Sequence, residues 1–533
     1  MSAETRTAPP VAGPRVRRPV PARPVVRPPL PLWGALLVAL LAGLLLDGAF
    51  PDAGVWPLAF PAVALVLVAL RGRRPGAALL VGLVFGLAFY LVHIEWATLF
   101  LGEVPWLALS TLQALFVALG SALIALAYAR LPRLWPSLLG RVGLLPVVIA
   151  GLWTAREAIS AVWPYGGFSW GRVAMSQSES PLAPLFSWLG ISGVSFVMVW
   201  LTALALELWF SRPRRSAPGG DRSWPRRALL LMATAVAAVL AVPAWSTADA
   251  GTLRVGAVQG NTPSGYFDTR DYQGQILDGH VAATLPIAGE DVDVLLWPEA
   301  ASDLNPLESG PAARILDDVT DAADAPLITG TITERDGRIF NTSLLWENGE
   351  GAVDLYDKRH PVPFGEYVPD RAFWEPFAPS LIGLIQREYT PGTTDPIVEV
   401  GGVRVGLDIC FDIVDDALIA ESVRDGAQVL FAQTNNADFG QTDENLQQLA
   451  IARIRALETG RALVNVSTVG TSAVLAPDGS TLDTIPAFEA GAMVTDVPLR
   501  DGLTPAVLLG KGVELLVSGL GLGALLLTLR RRS

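Results

Sequence analysis

Cysteine is almost absent from this chain of 533 residues: the only one is Cys410. A single thiol excludes an internal disulfide, whichever compartment the chain faces. Histidine is nearly as scarce, and His93, His280 and His360 are too scattered to suggest a shared site. No metal-ligand cluster, phosphate-binding loop or dinucleotide fingerprint occurs, so neither a metal nor a cofactor is expected. Charge is sparse as well. Charged residues make up 17% of the chain against 51% hydrophobic ones, a balance too apolar for an ordinary soluble protein of this length. What the chain has in their place is long apolar runs, and these call for a membrane.

A run of about 20 apolar residues spans a bilayer as a helix whose backbone groups are bonded internally. About eight such runs are expected as transmembrane helices, at 31–49, 54–70, 77–101, 105–129, 142–160, 185–210, 228–246 and 505–529. The fifth is the weakest, because Arg156 and Glu157 lie near its end. A buried soluble helix is the alternative for any one run, and a succession of seven argues against it. Basic loops stay in the cytoplasm. Arg71/Arg73/Arg74, Arg130/Arg133/Arg141, the cluster from Arg212 to Arg227, and Arg530 to Arg532 alternate with loops poor in cations. This alternation places both termini inside and the segment 251–500 outside. The Pro/Arg-rich tail 1–30 is expected to be a disordered cytoplasmic segment, leading into an uncleaved anchor. The organisation is therefore a tail at 1–30, a membrane domain with seven helices at 31–246, an extracytoplasmic domain at 251–500, and a final membrane helix at 505–529.

The segment 251–500 reads as a globular domain large enough for its own core. Its acidic residues outnumber its basic ones by more than two to one, which makes nucleic acid an improbable partner. Short β-rich runs, among them Leu253–Gln259, Val292–Trp297, Leu327–Ile332, Val403–Ile409 and Leu463–Ser467, alternate with helical stretches at 270–287, 311–323, 415–425 and 443–460. That order predicts a layered α/β domain whose strand ends carry chemistry. Cys410 ends one such strand, where a neighbouring cation could hold it as thiolate and a carboxylate could take its proton. Glu299 follows another strand after Pro298, and Lys358 stands in Tyr356-Asp357-Lys358. Taken singly, Cys410 reads more readily as a small buried hydrophobe, Lys358 equally as a solvated loop charge, and Glu366 equally as a surface residue.

Trp297-Pro298-Glu299, Tyr356-Asp357-Lys358 and Asp408-Ile409-Cys410-Phe411, in that order, resemble the Glu-Lys-Cys signature of the nitrilase superfamily. His360-Pro-Val-Pro-Phe-Gly-Glu366-Tyr-Val-Pro369, Ala452-Arg-Ile-Arg-Ala-Leu-Glu458-Thr-Gly-Arg461, and Pro164-Tyr-Gly-Gly-Phe-Ser-Trp170-Gly171 with Gln177 are similar to apolipoprotein N-acyltransferases. The resemblance covers nearly the whole chain beyond the tail. It implies a nitrilase-like αββα sandwich, with Cys410 as nucleophile, Glu299 as general base and Lys358 as the cation that meets the tetrahedral intermediate. Glu366 matches a second family glutamate that orients the triad. The N–H of Phe411 is a candidate oxyanion donor. Where the family often has Cys-Tyr-Glu, this chain has Cys410-Phe411-Asp412, and Asp438 stands in a second altered word, Asn435-Asn436-Ala437-Asp438-Phe439-Gly440.

The resemblance further implies a transferase with a phospholipid acyl donor and, as acceptor, the N-terminal amine of a diacylglyceryl-modified lipoprotein, working in the bacterial cell membrane. A second reading is a membrane-tethered amidase or nitrilase acting on a small C–N substrate, although a single anchor would serve that purpose. A transporter or scaffold is a third, poorly supported because intramembrane charge is sparse. The segment 371–385 is more apolar than a solvated loop should be. Phe373, Trp374, Phe377, Leu381 and Ile382 are expected to contact lipid there, with ordinary packing against the domain as the alternative.

Overall fold

The computed structural model describes residues 27–212 and 223–530. Most of the expected disordered tail, part of the Arg212–Arg227 cluster, and Arg531 and Arg532 lie outside the described residues. A helix falls in each of the expected apolar runs: Leu32–Asp47, Ala59–Leu70, Pro75–His93, Glu103–Leu134, Leu145–Ser160, Phe186–Phe210, Trp224–Leu240 and Lys511–Arg530. Five helical stretches, Pro75–His93, Glu103–Leu134, Leu139–Ser160, Ala183–Phe210 and Lys511–Arg530, are long and apolar enough to cross a membrane, and Leu32–Asp47 and Trp56–Leu70 are shorter apolar ones. Three boundaries differ from expectation. The run 77–101 breaks after His93 into two short turns, Glu95–Ala97 and Thr98–Leu101. The run 228–246 leaves the helix at Leu240, shortly before Pro243, whose ring disfavours helical backbone at the residue preceding it. The last run is interrupted at Gly510, where φ is 47°.

Small residues let these helices pack closely. A Cβ on Gly151 would lie 2.4 Å from the Val517 carbonyl oxygen, and one on Gly521 would lie 2.6 Å from the Gly151 carbonyl carbon. Glycine at both positions is therefore what allows Lys511–Arg530 to return against Leu145–Ser160. The charges of the fifth run meet within the fold: one oxygen of buried Glu157 accepts from the Trp153 indole at 2.8 Å and the Val173 N–H at 3.0 Å, with Arg156 3.5 Å away.

The second part of the chain contains two six-stranded sheets. The first is built from β1 (Ala248–Gln259), β2 (Val294–Leu296), β3 (Leu327–Arg335), β4 (Arg338–Glu347) and β5 (Gly351–Asp357). The second is built from β6 (Ile397–Val400), β7 (Val403–Ile409), β8 (Val429–Thr434), β9 (Leu463–Ser467), β10 (Ser472–Leu475) and β11 (Thr481–Ile485), and β12 (Gly491–Asp501) returns to the first. Their orders are β12-β1-β2-β3-β4-β5 and β11-β10-β9-β8-β7-β6. Each has a parallel centre, β1-β2-β3 and β7-β8-β9, with antiparallel flanks. Alternate residues of the strands meet between the sheets, including Val255 and Ala257 of β1, Val405, Leu407 and Ile409 of β7, and Val464 and Val466 of β9, as a period of two requires.

Helices Gln275–Thr284 and Gly310–Ala323 cover the outer face of the first sheet. The helices Asp416–Arg424 and Glu444–Thr459 cover the second, giving the αββα sandwich. That second helix layer is also the seat on the membrane part. Ile419, Val423, Ile451 and Ile454 belong to one continuous apolar core with Phe186, Ile191 and Val194. Beside it, Arg172 binds Asp416 through two hydrogen bonds of 2.7 and 2.8 Å, and Arg455 reaches Asp416 at 2.8 Å and Glu458 at 2.6 Å.

Candidate active site

Three strand ends supply the site. β2 runs out through Trp297, whose indole donates to Thr284 Oγ1 at 3.0 Å and whose carbonyl accepts from Gln433 at 2.6 Å. The chain then turns at Glu299 and Ala300, packed so tightly on β3 that a Cβ on Gly330 would lie 2.5 Å from the Pro298 oxygen. β5 delivers Lys358, tied by its backbone N–H to Asn341 of β4 at 2.8 Å. β7 stops at Ile409, and Cys410 takes φ of 51°, a left-handed conformation that a residue with a Cβ adopts only when its surroundings enforce it. The enforcement comes from Asp412. Its fully buried carboxylate accepts from the Tyr356 hydroxyl at 2.8 Å and the His360 N–H at 2.9 Å, anchoring the turn Cys410–Val414 to the end of β5.

Lys358 is 1% exposed, yet its ammonium meets two carboxylates: Glu299 Oε1 at 3.2 Å, and Glu366 with Oε1 at 3.0 Å and Oε2 at 2.9 Å. Asn341 Nδ2 donates to the same Glu299 oxygen at 2.7 Å and to Glu366 at 3.2 Å, and the Val362 N–H holds the other Glu366 oxygen at 2.6 Å. Burial raises the Glu299 carboxyl above its ordinary range, with Lys358 opposing it. Burial also works against the Lys358 charge, but Glu299 and Glu366 prevail and hold the ammonium far above its usual value. Around Cys410 the balance goes the other way. Burial and the Glu299 charge push the thiol well up, and Lys358 offsets this only in part. These surroundings favour the thiol over the thiolate, because the charge of Lys358 is shared by two carboxylates.

The structure brings Glu299, Lys358, Glu366 and Cys410 together, as their spacing along the chain could not show. Phe411 turns away from them; its ring stacks on Phe168 at 6.4 Å, and Phe168 stacks on Trp170 at 6.3 Å, joining the Cys410 turn to the membrane part. Asp438 accepts from the Tyr266 N–H at 2.7 Å, and burial raises its carboxyl to about 6. In the 371–385 segment Phe373 and Phe377 are 58% and 73% exposed. Trp374 and Leu381 are half-buried, with the Trp374 indole donating to the Tyr165 hydroxyl at 3.3 Å. Ile382 is corrected: it is 6% exposed and forms a small core with Val368 and Ile385, so it shapes the segment from within and does not face lipid.

Asn341, Asn436 and Gln448 escaped the reading of the sequence. Asn341 stands within a regular strand, Gln448 within a regular helix and Asn436 in the loop after β8, and only burial gives them away. Gln448 is beside Cys410, with Nε2 3.7 Å from Sγ. Among the described residues no group of three or more His, Cys, Asp or Glu side chains is arranged to hold a metal ion.

Residues 42–204 match the family described as the apolipoprotein N-acyltransferase N-terminal domain, and residues 254–502 match the carbon-nitrogen hydrolase family. The apolipoprotein N-acyltransferase of Mycolicibacterium smegmatis is 32% identical over 93% of this chain and 85% of its own length. That of Shewanella oneidensis is 29% identical over 91% of this chain and 94% of its own. Among solved structures, an amidase of the nitrilase superfamily from Nesterenkonia AN1 aligns at 17% identity over 48% of this chain and 94% of that one, with a TM-score of 0.36.

Proposed function

The chain belongs to the apolipoprotein N-acyltransferase family, and we propose that it moves an acyl chain from a phospholipid to the N-terminal amine of a diacylglyceryl-modified lipoprotein through a thioester on Cys410. Glu299 takes the thiol proton as sulfur attacks the ester carbonyl carbon. The new C–S bond leaves an oxyanion that faces the Lys358 ammonium and the Phe411 N–H. Collapse breaks the ester C–O bond, and the proton passes from Glu299 to the departing glycerol oxygen. A lysophospholipid leaves. The neutral amine of the acceptor then attacks the thioester carbon, Glu299 receives the amine proton, the C–S bond breaks, and the sulfur regains its proton. Glu366 and Asn341 keep Glu299 and Lys358 in register through both halves.

The observation that carries this reading is the buried Lys358 held between Glu299 and Glu366 beside the turn that presents Cys410. The seat of the domain on the membrane helices favours a lipid donor over a small amide, because a hydrolase of soluble substrates gains nothing from a core continuous with them. The alternating arginine clusters support a bacterial membrane location with the 251–500 domain extracytoplasmic, about eight spans and both termini cytoplasmic. The tail 1–30, the seven-helix region 31–246 and the final helix 505–529 complete that arrangement.

Intact mass of the purified protein after incubation with phospholipid tests the chemistry. The expected result is the gain of one acyl group in the parent, lost in Cys410→Ala and Cys410→Ser, with membrane insertion unchanged. Normal turnover by the alanine variant would sink the thioester mechanism.

A further inference from the structure

The helix Glu444–Thr459 carries three buried polar side chains: Gln447 meets Trp96, Trp170 and His93 of the membrane part, whereas Glu444 and Gln448 meet Asn436 on the Cys410 side. The acyl transfer set out above uses none of them. Gln448 is 2% exposed, and its Nε2 approaches Cys410 Sγ at 3.7 Å, a hydrogen-bond separation for an atom as large as sulfur. A buried glutamine so placed must have a fixed orientation, since its amide presents two donors at one end and an acceptor at the other.

Asn436 decides that orientation. Its Oδ1 accepts from the hydroxyls of Thr434 at 2.8 Å and Ser467 at 2.6 Å, the latter also accepting the Gly470 N–H at 2.8 Å. Both acceptor positions of Asn436 are thus filled. Its Nδ2 is left to donate, to Glu444 Oε2 at 2.7 Å and to Gln448 Oε1 at 2.7 Å. With its oxygen committed to Asn436, Gln448 turns its NH2 to the sulfur. Burial raises the Glu444 carboxyl to about 8, and when ionised it adds to the charges that oppose the thiolate of Cys410.

We propose that Gln448 is a catalytic residue of this site, donating a hydrogen bond to the Cys410 sulfur as the thiol proton leaves, and that Asn436 is the positioning residue that fixes the direction of the bond. A thiol is a weak acceptor and a thiolate a strong one, so the bond strengthens as charge develops on sulfur and lowers the barrier rather than merely holding the ground state. The site needs such a donor. The sulfur sits where burial and Glu299 oppose its ionisation, and Lys358 is shared with two carboxylates. The inference rests on the reading of Cys410 as nucleophile.

Two variants of the full-length protein test it: Gln448→Met, which keeps the length of the side chain without the donor, and Asn436→Asp, which keeps the volume but turns the Gln448 oxygen toward sulfur. Two readouts are taken on each, the rate of acyl-Cys410 formation from phospholipid by intact mass, and the pH dependence of Cys410 alkylation by iodoacetamide. Both variants are expected to slow acylation about ten- to hundred-fold at neutral pH, and to move the thiol titration upward by about one pH unit. Acylation and titration like the parent's in either folded variant overturn the role of Gln448. Slower acylation with an unmoved titration overturns it too, as the mark of a packing defect. If one variant does not fold, the other decides. Absence of acyl-Cys410 in the parent itself, or turnover by Cys410→Ala, would instead bring down the nucleophile assignment.

Discussion

Glu299 and Lys358 show how two buried charges make each other useful. Alone, a buried ammonium would lose its proton and a buried carboxylate would gain one; together, with Glu366 and Asn341 closing the cluster, Lys358 stays charged while Glu299 is left with a raised affinity for protons. The base form of Glu299 therefore disappears as pH falls through a value above the ordinary glutamate range. Acyl-enzyme formation is expected to show an acid limb there, and Glu299→Gln to lack the limb and run about 10²–10⁴ slower. A pH–rate profile by rapid quench and intact mass checks this, and a limb that survives in the glutamine variant would exclude Glu299 as the base. Lys358→Met is expected to lower the same rate by about 10²–10³, the usual loss when one oxyanion partner is removed.

The arm at 371–385 is an element with two sides. Ile382 and Ile385 hold it together from inside, Trp374 pins it to Tyr165, and Phe373 and Phe377 are left facing outward. Replacing Phe373 and Phe377 together with Ser should preserve the arm and remove its apolar outer face. If that face contacts acyl chains, each ring lost forfeits about 1.5–3 kcal/mol, or one to two decades in the rate of acylation by phospholipid for a contact kept in the transition state. Alkylation of Cys410 by a small water-soluble reagent should stay normal, and unchanged phospholipid turnover would refute lipid contact by the arm. The Arg172–Asp416–Arg455 clamp also couples the two parts. Burial opposes the Asp416 charge, but the two arginines hold its carboxyl far below the usual range. The stability it contributes is therefore present at neutral pH and is lost only in strong acid, as pH falls through that depressed value. Because 29% of the Asp416 side chain remains accessible, Asp416→Asn is expected to cost about 2–3 kcal/mol, the low end for a broken buried pair. A lowered midpoint of thermal unfolding in detergent measures it.

At the scale of the whole molecule, the two-sheet domain is set on its helices by one continuous core. Its position relative to the bilayer then follows from the topology. A reporter placed after Arg74 is expected to report cytoplasm, and one near Glu350, in the turn between β4 and β5, the opposite side. A cytoplasmic signal at position 350 would mean that the number of spans before β1 is even.

The sequence by itself determined the apolar runs, because crossing a bilayer demands about 20 consecutive apolar residues and such runs need no partner to be recognised. It determined the strands that end at Glu299 and Cys410, since alternation and apolar runs are local, and the words around Glu299, Lys358, Glu366 and Cys410 were legible as a set through their likeness to a family. Where helices stop was less legible: the end at Leu240 and the break at Gly510 depend on local backbone geometry that hydropathy does not register. Tertiary structure alone decided the surroundings of the thiol, because burial, Glu299 and Lys358 bear on it only once two sheets have packed. It alone placed Ile382 inside and Phe377 outside on the same arm, and it alone brought Asn341, Asn436 and Gln448 to the site. An amide carries no sign of its partners. Its role comes from what stands opposite it once distant segments have packed, and nothing nearby in the chain encodes that.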